Sequence, residues 1–143
     1  MAITSAICTS FKVEILKGVH NFTASSGNTF NLALYTSSAS LGAATTAYTT
    51  SNEVSGSGYT AKGNALTSVT PVADSTTAVC DFSDTSFTSA SFTARGCMIF
   101  NDSASGDPSV CVIDFGADKT VTSGTFTIQL PAADASNAIV RIA

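Results

Sequence analysis

The sequence is poor in the side chains on which most protein chemistry depends. None of its 143 residues is tryptophan, one is histidine, three are proline and only 11% are charged. With one histidine, a histidine-based metal cluster is excluded, and any general base would have to be that residue or a carboxylate. Serine and threonine supply more than a quarter of the chain. Solubility must therefore come largely from hydroxyl groups.

Basic residues are also scarce and do not cluster. Six Lys and Arg stand singly against ten Asp and Glu, which gives a formal net charge of -4. Binding to phosphates draws on clustered basic side chains, so nucleic acid is not expected as a partner. A surface so poor in charge has two interpretations. It is buried against other copies or other proteins, or it is the threonine-rich face of a sheet.

Long hydrophobic runs and export signals are missing as well. The first residues, MAITSAICTSFKVEILKG, lack the basic start and the unbroken apolar block of a secretory signal. No window approaches the apolar length needed to span a bilayer. The sequence therefore predicts a soluble protein made in a reducing cytoplasm, with no membrane partner.

The four cysteines are not arranged as metal ligands. No CxxC pair occurs, so zinc and thioredoxin-type sites lack their ligand spacing. Cys97 and Cys111 lie in the apolar runs CMIF and VCVIDF, where a cysteine usually acts as a small buried hydrophobe. We expect separate thiols, with a Cys97 to Cys111 disulfide across adjacent strands as the alternative.

What the chain does contain is short β-prone segments separated by Gly, Pro, Asp and Ser. With 44% hydrophobic residues and a mean hydropathy of +0.30, the chain should fold, and its length fits a single domain over residues 1–143. The predicted strands begin at residue 29, where the period is two, and continue through residues 59–70, 76–82, 92–101, 109–115, 124–130 and 138–142. This pattern predicts an all-β fold, an antiparallel sandwich or jelly-roll-like domain with one short N-terminal helix.

The helix is predicted over residues 11–17. Ser10 would cap it, Phe11, Ile15 and Leu16 would share its apolar side, and Gly18 would end it. A strand is the competing interpretation, because apolar residues 11, 13 and 15 alternate with Lys12 and Glu14.

The two most apolar runs are joined by DSASGDP, residues 102–108, which is rich in turn formers. This predicts a central hairpin of CMIF and VCVIDF. The next stretch, residues 116–124, reads as a connection. The strand after it directs Phe126, Ile128 and Leu130 inward before Pro131 ends it.

A long polar excursion covers residues 37–58 and ends in NEVSGSGYT. One helical turn is expected around residues 43–48. Gly56 and Gly58 allow backbone conformations that a Cβ would forbid, after which Tyr59 can begin a strand. Long loops on sheet scaffolds commonly make contacts.

No combination of residues predicts catalysis, a metal site or a cofactor site. His20 follows a turn and is expected to be exposed or to act as a cap. Asp102 and Asp107, with Asn101 and Ser103, could offer oxygen ligands to a hard cation, but turn propensity explains them fully. GxSxG, GxGxxG and P-loop motifs are missing, so hydrolase and nucleotide-binding functions lack support.

Aromatic residues are expected to pack inside. Phe82, Phe87 and Phe92 recur every five positions, which fits neither a helix nor one strand, and core packing is favoured over a sugar-binding platform. The exception is the set of tyrosines that flank the excursion, for which a role in recognising a partner is the alternative to core packing. They are Tyr35, Tyr48 and Tyr59.

Several segments in this order resemble a family of small virion proteins of tailed bacteriophages, and the resemblance covers nearly the whole chain. They are FKVEILKGVHNF (residues 11–22), TFNLALYTSSASL (29–41), AYTTSNEVSGSGYTAKG (47–63), ARGCMIFND (94–102) and VIDFGADKTVTSGTFTIQLP (112–131). The resemblance implies a β-rich structural component of the virion, above all a capsid decoration or cement protein without enzymatic activity.

The implied partners are the major capsid protein or other virion proteins, bound by a homo-oligomer. A trimer is preferred because a symmetric capsid offers threefold sites. The N-terminal segment and the excursion are the candidate contacts. The protein would be made in the host cytoplasm and end in the virion. A tail or fibre component that binds a host receptor is the alternative function.

Overall fold

A computed structural model describes residues 2–143, which form two antiparallel sheets and one helix. The helix α1 spans Thr9–Leu16. The strands are β1 (Ala6–Ile7), β2 (Phe30–Tyr35), β3 (Asn64–Ala65), β4 (Ser68–Asp74), β5 (Thr77–Phe82), β6 (Thr85–Asn101), β7 (Ser109–Ile128) and β8 (Val140–Ile142). The all-β sandwich with a short N-terminal helix is confirmed.

The larger sheet has the order β1-β7-β6-β2-β3, and the smaller has the order β4-β5-β8. Strand β2 is buried on both faces, because its alternating side chains meet different layers. Phe30 packs on Phe82 of the small sheet at 5.7 Å between ring centroids. On the other face Phe100, which pairs with Asn31, stacks under Tyr48 of the excursion at 4.8 Å. The large sheet thus lies between the small sheet and the excursion.

The central hairpin is confirmed and is much longer than predicted. Met98 pairs with Val112 and Ile99 with Cys111, while residues 102–108 form the turn. The prediction that residues 116–124 form a connection is wrong, because they belong to the 20-residue strand β7 and pair with the first half of β6. The pairing register of β6 and β7 shifts at several positions. These shifts accommodate the irregular backbone that is expected around the glycines and serines.

The predicted inward face of residues 126–130 is confirmed. Ile128 is buried and Phe126 and Leu130 pack against the core, whereas Thr125, Thr127 and Gln129 are exposed. The predicted strand over residues 59–70 is wrong as one element. It divides into β3, which joins the large sheet, and β4, which joins the small one. Tyr59 lies before β3 and does not begin a strand.

Helix α1 forms where a helix was expected, with differences at both ends. Cys8 occupies the N-cap position and Ser10 lies inside the helix, so the predicted serine cap is wrong. At the C-terminal end Gly18 donates to the Ile15 carbonyl and Val19 to that of Glu14, the bonding of a Schellman motif. Phe11 is buried, but Leu16 is 89% exposed, so its predicted inward position is wrong. Within residues 2–143, no helix is long and apolar enough to cross a bilayer.

The cysteines are separate thiols, as predicted. Cys8, Cys80, Cys97 and Cys111 are all buried and all free. Cys97 pairs with Ile113 and Cys111 with Ile99, so the two side chains do not occupy opposite positions in the ladder. Burial raises the pKa of the Cys80 and Cys97 thiols to about 12 and raises that of Cys111 as well. They contribute to packing as small apolar groups.

Candidate functional site

The segment NEVSGSGYT places one carboxylate at the centre of a hydrogen-bond network. Glu53 accepts the Tyr48 hydroxyl on Oε2 at 2.6 Å and the Tyr59 hydroxyl on Oε1 at 2.7 Å. Oε1 also accepts the backbone N–H of Lys62 at 2.8 Å. Glu53 therefore joins three points of the excursion and of the loop that follows it. We call this set the Glu53 network.

The Glu53 network is anchored on strand β2. The Tyr59 hydroxyl accepts the Leu34 N–H at 2.9 Å, and the Tyr35 hydroxyl donates to the Thr49 carbonyl at 2.7 Å. Burial, reinforced by Glu53, raises the pKa of Tyr48 to about 12 and raises that of Tyr59 still further. Both hydroxyls are therefore protonated donors at neutral pH, and their chemical role is to hold the excursion on the sheet.

The glycines of NEVSGSGYT bring this segment against strand β6. Gly58 has φ +78, and a Cβ there would lie 2.6 Å from the Thr88 carbonyl oxygen and 2.8 Å from the Ala90 Cα. Next to it, Ser91 donates its N–H to the Ser57 carbonyl at 3.0 Å. The interpretation of Gly58 as a turn residue is confirmed, and the close approach of two backbones is a further reason for glycine there.

Lys62 joins the Glu53 network to the hairpin turn. Its Nζ lies 2.7 Å from Asp102 Oδ1 and 2.9 Å from Asp107 Oδ2, and 5.7 Å from the centre of the Tyr48 ring. Those hydrogen bonds raise the pKa of Lys62. Asp102 and Asp107, the two carboxylates considered as ligands of a hard cation, thus face the ammonium group of Lys62 instead. No group of three or more His, Cys, Asp or Glu within residues 2–143 is arranged to hold a metal ion.

A second buried network, the Asn101 network, lies on the opposite face of the sheet. Asn101 Oδ1 accepts the N–H groups of Ser103 and Ala104, which forms the turn. Its Nδ2 donates to Asn28 Oδ1 at 3.0 Å and lies 3.2 Å from His20 Nδ1. The turn interpretation of Asn101 and Ser103 is confirmed, and Asn101 also fixes the loop that precedes β2.

The expectation that His20 is exposed or acts as a cap is wrong. His20 is 8% exposed, and its ring packs among Phe11, Phe22 and Phe30. Because Asn101 donates to Nδ1, the proton lies on Nε2, which is 3.8 Å from Glu14 Oε1. Burial lowers the pKa of His20, although Glu14 acts in the opposite direction. The histidine is therefore a neutral core residue.

This arrangement predicts acid sensitivity. The pKa of His20 is lower in the folded than in the unfolded chain, so its contribution is complete above the unfolded value of 6.5 and is lost as pH falls below it. We expect this residue to decrease the free energy of unfolding by up to about 1.4 kcal/mol per pH unit as pH falls below 6.5. Urea unfolding of the wild type and of His20→Phe measures the effect. Equal pH slopes in the two proteins would show that His20 does not cause it.

The outer half of the β6–β7 hairpin presents two different faces. One is lined by hydroxyls, with Thr93 and Thr120 in contact at 2.8 Å and Ser86 and Thr127 at 2.9 Å. The other borders an open apolar groove of about 640 Å³ between β7 and residues 129–139. Ile113, Phe115, Phe126, Leu130 and Ile139 line it, with Lys119 at the same groove.

The two segments predicted as contacts lie side by side. Thr4 donates its N–H to the Leu41 carbonyl at 2.9 Å, and Leu41 donates to that of Ala2 at 3.1 Å. Ile3 and Leu41 are both buried, so each segment is fixed on the sheet. An open cleft of about 570 Å³ lies between Ala2, Thr4 and residues 40–46. Contact of these segments with a partner stays a prediction.

Comparison with models of protein families, with curated proteins and with solved structures gave no match.

Proposed function

We propose that this protein is a structural component of a tailed-phage virion, a capsid decoration or cement protein that binds the capsid shell and stabilises it. Its partners are the major capsid protein or other virion proteins, and its role is not enzymatic. The proposal combines the resemblance of the sequence with a property of the fold.

That property is that the polar side chains which could take part in chemistry are bonded to other groups of the protein itself. The carboxylate of Glu53, the tyrosine hydroxyls, Lys62, Asn101 and His20 contact one another or the backbone and hold loops on the sheet. The outside includes a hydroxyl-lined face and open apolar surface with few charges. Such surfaces suit binding to another protein, because they can be covered without removing many charges from water.

A cement protein stabilises a shell by bridging neighbouring subunits, so that expansion of the shell must break more contacts. We propose that a homo-oligomer, preferably a trimer, makes these bridges. Light scattering of the purified protein measures the number of copies. A protein that is monomeric at all concentrations would contradict the oligomer, but not the binding to the shell.

A tail or fibre component that binds a host receptor is the second candidate. Its support in the sequence was the set of tyrosines around the excursion. Tyr35 is buried, and Tyr48 and Tyr59 donate their hydroxyls to Glu53, so these residues do not form an exposed aromatic platform. The decoration role is therefore favoured.

Immunogold labelling of purified virions tests the proposal. Label spread over the head supports decoration, and label confined to the tail supports the second candidate. Virions without label would contradict both, provided that the same antibody recognises the purified native protein.

A further inference from the structure

The outer side of helix α1 carries an apolar patch between two lysines. Leu16 is 89% exposed and Val13 is 50% exposed. Lys12 and Leu16, like Val13 and Lys17, are four residues apart, so the four side chains are neighbours on one side of the helix. The acidic residue of α1, Glu14, is directed toward His20 instead.

The patch continues onto strand β8. Ile142 is 55% exposed, and with Leu16 and Lys12 it borders a cleft of about 460 Å³ between α1 and β8. Strand β8 pairs with β5 on one side, and its other edge pairs with no strand of residues 2–143. We call the whole surface the α1/β8 patch.

Two of the six basic residues lie at this patch, on the outer side of α1. Of the six, Lys62 and Arg95 form ion pairs with aspartates and Lys119 lies at the groove beside β7. Lys12 and Lys17 are exposed on the outer side of α1 and form no ion pair within the described chain. Arg141 alternates with Val140 and Ile142 along β8, so its side chain is directed to the other face of the small sheet. There it donates to the Ala135 carbonyl at 3.3 Å and helps to lower the pKa of Asp134. The exposed apolar side chains of α1 thus lie beside two lysines that form no ion pair.

We propose that the α1/β8 patch binds an acidic polypeptide segment that also carries apolar side chains. Leu16, Val13 and Ile142 would be covered by the apolar side chains of the segment, and Lys12 and Lys17 would face its carboxylates. The open edge of β8 offers backbone hydrogen bonds, which an extended polypeptide can use and a lipid surface cannot. The inference concerns the chemistry of the partner and holds whether or not the protein decorates a capsid.

A synthetic peptide of alternating Asp and Val, carrying a fluorophore, is the probe. Its binding to the full chain is measured by fluorescence anisotropy at low and high salt. A matched peptide has Asn in place of every Asp, and vesicles of anionic phospholipid form a third sample. The variants are Leu16→Ser and the double variant Lys12→Glu/Lys17→Glu. A control variant, Lys119→Glu, reverses an exposed charge away from the patch.

We expect the Asp-Val peptide to bind and its affinity to fall with salt. Lys12→Glu/Lys17→Glu should weaken it about tenfold or more, Leu16→Ser should weaken it as well, and Lys119→Glu should have little effect. The altered side chains are exposed, so the variants should keep the thermal unfolding midpoint of the wild type.

The proposal is overturned if the peptide does not bind, if the Asn peptide binds equally well, or if Lys119→Glu weakens binding as much as the double variant. Binding to vesicles without binding to the peptide would show a lipid-binding surface and would also overturn it.

Discussion

Replacing Glu53 by alanine is expected to lower the free energy of unfolding by about 3–5 kcal/mol. The substitution removes the acceptor of two tyrosine hydroxyls and of the Lys62 N–H, and leaves these donors in a partly buried region. Each donor left without a partner costs about 1–3 kcal/mol. Urea unfolding measures the total. Hydrogen exchange should locate the loosening in residues 36–62 while the β6–β7 hairpin stays protected.

Two further variants divide this effect. Tyr48→Phe removes one hydrogen bond and should cost about 1 kcal/mol. Glu53→Gln keeps the shape and one carbonyl oxygen, so its stability should fall between that of the wild type and that of Glu53→Ala. If Glu53→Ala lost no more stability than Tyr48→Phe, the Glu53 network would not hold the excursion on the sheet.

Replacing Gly63 by alanine is expected to cost about 4 kcal/mol or more, which is most of the free energy of unfolding of a domain at the lower end of the ordinary range. Gly63 has φ +64, and a Cβ there would lie 1.8 Å from the Leu32 carbonyl oxygen and 2.8 Å from its carbon. Both atoms belong to the backbone of β2 and cannot move aside without breaking its pairing with β3. Thermal unfolding of the variant and its yield in the soluble fraction measure the effect.

Gly106→Ala is the matched control. Gly106 also has a positive φ, +83, but no atom lies within 4 Å of the position of its Cβ. It should therefore show only the conformational cost, about 1–2 kcal/mol. A Gly63→Ala variant that unfolds like Gly106→Ala would mean that β2 and β3 do not approach each other as described.

Features that depend on neighbouring residues were predictable from the sequence. The hairpin of CMIF and VCVIDF follows from two apolar runs around a turn. The helix ends at Gly18, which donates to the Ile15 carbonyl, while Val19 donates to that of Glu14. The inward positions of Phe126 and Ile128 follow from simple alternation. In these cases local preference and tertiary packing favour the same structure.

The continuity of β7 was not predictable in this way. Gly116, Asp118 and Ser123 are typical of loops, yet they lie in a strand because β6 pairs with β7 on both sides of the irregular positions. Pairing with a long partner overrides a weak local preference. The register shifts lie where strand pairing and the local preference of the residues conflict.

The two polar networks were missed for a different reason. Asn101 reaches His20 across 81 positions of sequence, and Tyr59 reaches Leu34 across 25, so no periodic pattern relates them. A single histidine after a turn is expected to be exposed when the sequence does not indicate its hydrogen-bond partner. The tyrosines flanking the excursion, with Glu53 between them, were the one signal present, and their hydroxyls required partners once buried.

The four buried cysteines determine how the fold responds to redox conditions. Thiolates, not thiols, react with oxidants and disulfides, and these thiols are both inaccessible and, where burial raises the pKa to about 12, almost entirely protonated at neutral pH. While the chain is folded, we therefore expect no accessible thiolate that could react with glutathione or dissolved oxygen. The same covalent structure is therefore expected in reducing and in oxidising surroundings, without a disulfide to form or to lose.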